Sequence, residues 1–299
     1  MPSLRDVRRR IRSVKNTAKI TKAMELVAAS KLRRAQQRVV QSRPYAEAMR
    51  ALIGELASQG AAAGAGLHPL LAPGTTSAVG VIVVTPDRGL AGALNTNLVR
   101  RASELVLEHE RDGSPTVQLA TVGRRGQDFF LRRGRHLLGT FTGLVDRPSY
   151  DDVIPIARII MDSYVNGTIG RAYLVYPRFV STLVQRADVV QILPIVADAP
   201  EGDADRRRDR LDYIYEPDPV SILQALLPRY VEVLVYQAVL ETAASFYSAQ
   251  MVAMRNATDN AKDLVDSLGL AYNRVRQAGI TREVTEIASA AEAMAHANR

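Results

Sequence analysis

The chain has no cysteine, which excludes disulfide frameworks, thiolate metal sites, cysteine nucleophiles and thiol redox switching together. It has no apolar run approaching the roughly 18 residues of a membrane-spanning helix. Its N-terminus is too cationic to contain the apolar stretch of a secretory signal, so the chain is expected not to enter a membrane itself. Lysine is scarce: there are five, with none between Lys31 and Lys262. Glycine and proline are missing from Ser3 to Arg43, and after Pro228, the last proline, only Gly269 and Gly279 occur. What remains is 299 residues, 47% hydrophobic and 23% charged. That balance fits a globular chain of one large or two ordinary domains and excludes collagen-like and wholly disordered chains.

Charge is concentrated at one end. Residues 1–50 hold fourteen Lys or Arg against Asp6, Glu25 and Glu47, whereas the whole chain is only +8. A basic, acid-poor N-terminus can be a transit peptide, a nucleic-acid arm or one charged face of a structural helix. The spacing of apolar residues favours the helix. Leu4, Val7, Ile11, Val14 and Ala18 fall on a 3-4 alternation that slips through Thr21 and Glu25 and resumes at Ala28, Leu32, Ala35 and Val39. Ser3 followed by Asp6 resembles a capping box. Met49, Ile53 and Leu56 carry the pattern to a Gly/Ala-rich stretch, which predicts a helix of about 55 residues, roughly 80 Å.

The C-terminal end repeats the pattern at greater length. Leu240, Ala244, Tyr247, Met251, Met254, Thr258, Ala261, Val265, Leu268, Tyr272 and Val275 share one register, which shifts after Gly279 to Ile280, Val284, Ile287, Ala291 and Met294. A helix starting near Pro217 and Pro219 spans about 80 residues, roughly 120 Å. Between the two helices, Ala78 to Val84, Val117 to Val122 and Ala172 to Tyr176 read as buried strands. Helical stretches are expected at Leu90 to Glu110 and Ser149 to Val165, and Val189 to Val196 reads as a strand that Pro194 demotes to an edge. The expected fold class is α/β plus a long antiparallel coiled coil: the N- and C-terminal helices pair, and a central Rossmann-like open α/β domain lies between them. The expected segments are 1–60 for the first helix, 61–215 for the α/β domain and 216–299 for the second helix. The C-terminal helix is longer by roughly 40 Å, so its apolar last turns need a partner from outside the chain.

Catalytic signatures are missing. The turn Thr85-Pro86-Asp87-Arg88-Gly89-Leu90-Ala91-Gly92 lacks both the Lys and Ser/Thr of a phosphate loop and the three-glycine dinucleotide spacing. His68, His109, His136 and His296 match no metal-site spacing. There is no GxSxG elbow, and Asp151-Asp152 is a cap or a solvated face rather than an acid/base pair. No catalytic residue, cofactor or metal is expected. A nucleic-acid reading of the basic helix finds no aromatic side chain before Tyr45 and no reading motif.

Several strings then converge. KITKAMELVAASKLRRAQ (Lys19 to Gln36), VTPDRGLAGALNTNL (Val84 to Leu98), DYIYEPDP (Asp212 to Pro219), MVAMRNATDNA (Met251 to Ala261) and YNRVRQAGITREVTEI (Tyr272 to Ile287) resemble, in order, the gamma subunit of bacterial F-type ATP synthases. The resemblance runs from about Leu4 to Ala293 and leaves no room for a transit peptide. It implies a non-catalytic central-stalk rotor in a proton-translocating ATP synthase, coupling a membrane c-ring to ATP synthesis and hydrolysis on the beta subunits. The implied partners are three alpha and three beta subunits, an epsilon subunit and the c-ring, with no nucleic acid. The implied location is peripheral, on the cytoplasmic side of the cell membrane. The alternative is a basic coiled-coil nucleic-acid-binding or scaffold protein.

By the same resemblance, Met24 faces a mobile lever of beta, Arg276 and Gln277 hydrogen-bond a beta catch loop, and Thr281, Glu283 and Glu286 belong to a sensitive C-terminal motif. Tyr215, Glu216 and Asp218 form a foot against the membrane ring. Two positions depart from the family pattern: Ala290 stands where glycine is usual, and Gln250 where arginine commonly precedes the MxAM string.

Overall fold

The computed structural model describes residues 3–62, 68–113, 116–196 and 218–297. The chain order is α1 (Leu4–Ala62), β1 (Val79–Val84), α2 (Leu94–Arg111), β2 (Val117–Val122), α3 (Arg124–Arg132), β3 (Leu137–Phe141), α4 (Ile154–Val165), β4 (Arg171–Phe179), β5 (Gln185–Leu193) and α5 (Pro219–Ala297). Two compact units divide it, one of residues 1–27 with 251–299 and one of residues 28–250. Both long helices contribute to both units.

The larger unit is built on a five-stranded sheet of order β3-β2-β1-β4-β5. β1 pairs in parallel with β2 and β4, β2 pairs in parallel with β3, and β5 runs antiparallel to β4. All six residues of β1 are buried, as a central strand covered on both faces requires. Val79, Val81 and Val83 meet Ala102, Leu105 and Val106 of α2 and Phe130 of α3. On the opposite face, Ile160 of α4 approaches Gly80.

The two long helices add to this core. From α1 come Ala28, Leu32, Ala35, Val39, Met49, Ile53 and Leu56; from α5 come Leu227, Val231, Val235, Val239 and Phe246. Here α5 is buried almost all round, so its polar residues must find partners inside. The Ser245 hydroxyl donates to the Pro177 carbonyl at 2.9 Å and the Ser248 hydroxyl to that of Thr182 at 2.6 Å, tying the helix to the end of β4 and the turn after it. The Thr242 hydroxyl donates to the Ala238 carbonyl of its own helix at 2.6 Å.

Four sequence expectations need correction. α2 begins at Leu94, not Leu90, because Leu90 and Gly92 both have positive φ, 62° and 56°, which a right-handed helix cannot contain. α4 begins at Ile154, not Ser149; Pro155 sits in its first turn, where the missing N–H costs nothing. The last strand is Gln185–Leu193 and stops before Pro194, at the sheet edge. β3 and α3 were not foreseen. β3 is short, with Gly139 interrupting its apolar run, and α3 is a nine-residue helix that opens on two arginines.

In the smaller unit, residues 4–27 of α1 run antiparallel to residues 251–297 of α5: an Arg8 Nη donates to Tyr272 Oη at 2.7 Å, and Arg255 Nε to Glu25 Oε1 at 3.2 Å. Ser3 Oγ accepts the Asp6 N–H at 3.2 Å and lies 2.7 Å from its carboxylate, which starts α1 as the capping pattern predicts. Val7, Thr21, Glu25, Met254, Thr258 and Ala261 are buried on the seam. Near the start of α1, Leu4, Ile11 and Val14 are only half-buried, as are Leu268, Tyr272 and Val275 of α5.

The polar part of the seam is internally satisfied. Thr21 and Thr258 hydroxyls lie 2.7 Å apart, within reach of the Ala18 and Met254 carbonyls. Glu25, with its side chain 6% exposed, takes Lys22 Nζ at 3.0 Å and Arg255 Nε at 3.2 Å. The Lys22 hydrogen bond, with that of Arg255, outweighs desolvation and holds the Glu25 carboxyl below its ordinary value.

Two outcomes are expected. At Gly123, φ is +89° and an added Cβ would lie 1.8 Å from the Thr85 carbonyl oxygen; Gly123→Ala should cost roughly 2 to 4 kcal/mol in urea unfolding. The stabilisation from ionised Glu25 is fully present above its unfolded pKa of about 4.3 and is lost as pH falls through its lower folded value. Glu25→Gln should therefore destabilise the paired helices by about 1 to 2 kcal/mol at neutral pH, and should flatten the acid limb of thermal melts followed by circular dichroism below about pH 4.

Candidate functional site

The predicted residues fall into three places. Met24 is half-buried on α1, next to Glu25; exposed Ile20 and Val27 lie one turn to either side of it, at 60% and 57% accessibility, and exposed Leu26, at 61%, lies on another face of the same segment. Large apolar side chains clustered in water on one short helical segment mark a surface that another protein covers. Met24 itself is only half-buried, between the buried seam residues Thr21, Glu25 and Ala28 and the exposed face of α1.

The second place is the far end of α5. Arg276, Gln277, Thr281, Glu283 and Glu286 are all exposed, and every residue from Thr281 to Ala290 is exposed as well. Helical spacing sets Arg276, Ile280, Glu283 and Ile287 along one face and Gln277, Thr281 and Val284 along the neighbouring one. Ile280, Val284, Ile287 and Met294 are 54%, 60%, 70% and 72% accessible. α1 starts at Leu4 and its Arg8 reaches Tyr272, so among the described residues no partner helix extends alongside this stretch. Thr281 and Thr285 donate to the Gln277 and Thr281 carbonyls, at 3.0 and 2.8 Å; their hydroxyls serve their own helix, while the side chains of Arg276, Glu283 and Glu286 have no partner among the described residues. Met24 is not brought beside this group: its neighbour Glu25 pairs with Arg255, and Arg276 lies 21 residues further along α5, about 30 Å.

The third place is Asp218. Its Oδ1 accepts the Val220 and Ser221 N–H groups at 3.0 and 2.9 Å, and its Oδ2 accepts the Ser221 hydroxyl at 2.6 Å. The Ser221 hydroxyl bond leads the lowering of its pKa. Asp218 thus caps the start of α5, the local role that a residue before a long helix predicts. Tyr215 and Glu216 lie outside the described residues.

The turn after β1, tested in the sequence as a phosphate loop, is closed by its own side chain. Asp87 Oδ1 accepts the Arg124 N–H at 3.0 Å, at the N-terminus of α3, and the Asp87 carboxylate accepts the Gly143 N–H at 3.1 Å. A protein carboxylate therefore stands where an anion would meet that helix end. Neither this role of Asp87 nor the Glu25 ion pair was legible beforehand; the TPDRG string marked the first position, and the polar slip in the heptads marked the second.

Among the described residues there is no group of three or more His, Asp or Glu placed to hold a metal, and no helix is long and apolar enough to cross a membrane.

Comparison with known proteins adds identity to this geometry. The family model described as ATP synthase matches residues 3–294. The ATP synthase gamma chain of Roseiflexus castenholzii is 49% identical over 295 residues, covering 99% of both chains. That of Chloroflexus aurantiacus is 47% identical over 294 residues, covering 98% of this chain and 99% of its own. Among solved structures, a chain of the Euglena gracilis mitochondrial ATP synthase superposes with a TM-score of 0.69 at 21% identity, covering 99% of this chain and 96% of that one. A chain from the central stalk and c-ring of the Tetrahymena thermophila mitochondrial ATP synthase gives 0.58 at 22%, over 80% and 99%. At those identities the structural likeness concerns fold. These relatives give no support to a nucleic-acid or scaffold reading of the basic helix. With near-complete coverage at almost half identity, the chain belongs to the family of ATP synthase gamma chains.

Proposed function

We propose that this chain is the non-catalytic central-stalk rotor subunit of a bacterial, proton-translocating F-type ATP synthase, carrying torque between a membrane c-ring and three alpha and three beta subunits. The observation that carries the reading is the end of α5, where every residue from Ile280 to Ala290 is exposed although Ile280, Val284 and Ile287 are apolar. Such a helix end needs a sleeve. Alanine at 288, 290 and 291 keeps it narrow and free of strong directional bonds, which suits turning against a ring of subunits.

On this reading ATP chemistry takes place on the beta subunits. Arg276 and Gln277 engage a beta loop, with a guanidinium suited to paired bonds with carboxylate, and Thr281, Glu283 and Glu286 lie within the same bearing. Met24, with Ile20 and Val27, meets the beta lever lower on the shaft. Residues 1–60 and 216–299 form the shaft, and 61–215 form the globular part that binds epsilon. Tyr215, Glu216 and Asp218 stand at the foot, so that the complex lies at the cytoplasmic side of the cell membrane and this chain is peripheral to it. An asymmetric shaft presents different faces to the three beta subunits in turn and so changes their nucleotide affinity in sequence.

The test is assembly with purified alpha and beta subunits, followed by ATPase assay and single-particle rotation, with a variant truncated after Ala271 in parallel. Unidirectional rotation that weakens on truncation is the expected result. Failure to assemble, together with salt-sensitive binding of duplex by the chain alone, would return the basic helix to a nucleic-acid role. Within the bearing, burial of a large apolar side chain is worth about 1.5 to 3 kcal/mol, so Ile287→Asp should weaken assembly by about tenfold or more. Ala290→Phe should leave assembly intact and slow rotation.

A further inference from the structure

The larger unit contains a cavity of about 620 Å³ whose lining is out of balance in charge: Lys31, Arg34, Arg38, Arg88 and Arg147 surround a single carboxylate, Asp146. Three elements build it. Lys31, Arg34 and Arg38 lie on α1; Arg88 lies in the turn after β1; Asp146 and Arg147 lie between β3 and α4. Those two connections leave the C-terminal ends of parallel strands, and β1 is where the strand order turns back towards β4. Open α/β sheets hold ligands at that edge and that switch point.

Asp146 does not neutralise the lining. It receives Arg88 at 3.0 Å and the Tyr247 hydroxyl at 2.7 Å, with Lys31 Nζ 4.0 Å away. Arg34 reaches only the Ser30 hydroxyl, at 3.4 Å, and Arg38 and Arg147 have no partner among the described residues. These three guanidinium groups are exposed. Guanidinium forks match phosphate oxygens two at a time, which ammonium groups do not. A flat aromatic platform for a nucleobase is missing: the Tyr247 ring has the Lys31 ammonium over it, 5.1 Å from its centroid.

We propose that this cavity is a binding site for a phosphate-type polyanion, held through its phosphate oxygens by Arg34, Arg38 and Arg147 while Asp146 keeps Arg88 and Lys31 in position behind them. The volume lies within the range of about 300 to 1,000 Å³ of small-ligand sites. The ligand must carry several charges to match an excess of four cations over the one carboxylate. Inorganic pyrophosphate and the phosphate tail of a nucleotide share that chemistry. The site is separate from Asp87, which closes the helix end beside it, and it stands independently of the rotor reading.

The test is isothermal titration calorimetry of the full chain at low ionic strength with pyrophosphate, ATP, AMP and poly-glutamate. The expected result is binding of pyrophosphate and ATP with similar affinity and of AMP about tenfold or more weakly. Arg38→Ala and Arg147→Ala should each weaken pyrophosphate by about tenfold, the effect of one lost charge-assisted pair. Arg38→Lys, which keeps the charge and loses the fork, should fall between, and Arg158→Ala, exposed on α4, should change nothing. No heat with pyrophosphate would overturn the proposal, as would an equal loss in Arg158→Ala. ATP binding without pyrophosphate binding would indicate base recognition, and poly-glutamate that pyrophosphate cannot displace would make the face a docking surface for acidic protein; either result replaces the site proposed.

Discussion

The antiparallel register that sets Arg8 against Tyr272 and Glu25 against Arg255 is the constraint from which the character of the smaller unit follows. Two helices alone cannot bury both sides of a seam. Among the described residues burial is therefore complete only at Val7, Thr21, Glu25, Met254, Thr258 and Ala261, while Ile11, Leu268 and Tyr272 are half-buried. Because the register uses up α1 near Tyr272, the remaining turns of α5 have no partner helix among the described residues. An isolated apolar helix end is unfavourable by about 1.5 to 3 kcal/mol for each large side chain left wet. An oligomeric sleeve removes that penalty, and the alanines between the large residues let it do so without locking the helix in one orientation.

The basic character of α1 has a structural use as well as any use in recognition. Three acids, Glu25 on α1, Glu241 on α5 and Asp146 before α4, each have a cation from α1 within 4.0 Å: Lys22 for Glu25, Lys31 for Asp146 and Arg43 for Glu241. The magnitudes decide which of these matter. An exposed pair such as Arg9 with Asp6 is screened by solvent and contributes little, whereas a buried carboxylate left without a partner is strongly destabilising. Glu25 and Glu241, at 6% and 13% side-chain exposure, belong to the second class. Burial raises the Glu241 pKa, while the Phe179 N–H, donating at 3.1 Å, and the nearby Arg43 and Arg178 pull it back. Cations on α1 that are not spent in this way, Arg34 and Arg38 among them, remain for ligands and partners.

The long elements were legible because helical period accumulates over many turns: the seam from Val7 to Leu56 and the exposed stripe from Ile280 to Met294 both stand where the spacing put them. Short elements were not. Gly139 interrupts the apolar run of β3, and α3 is a single charged segment whose burial rests on Gly126 and Phe130. Thr21 and Glu25 read as a slip in the heptads, yet they are among the most buried residues of the seam, because partners 237 and 230 residues away satisfy them. Periodicity reports which face is inside; it does not report a hydrogen bond between distant segments. The candidate contact residues were legible only through family strings, since on an exposed helix Arg276 and Glu283 have no local feature that separates them from ordinary solvated charge.

The α/β sheet shows why fold and function part company here. Its strand order and parallel pairing are those of a nucleotide-binding sheet, and its first turn even keeps glycines at 89 and 92. But the Asp87 carboxylate already accepts the N–H groups of Arg124 and Gly143, and Gly123 lies so close to Thr85 that not even a Cβ fits between them. The loop's polar groups are thus spent on holding three connections together. A rigid junction results at the end of the sheet nearest to α1. The cations open to ligand chemistry are instead Arg34 and Arg38 on α1 and Arg147, between β3 and α4. The same use of internal partners ties α5 to the sheet within the larger unit: Ser245 and Ser248 spend their hydroxyls on the carbonyls of Pro177 and Thr182, so the buried stretch of the helix is held by directional bonds as well as by apolar packing.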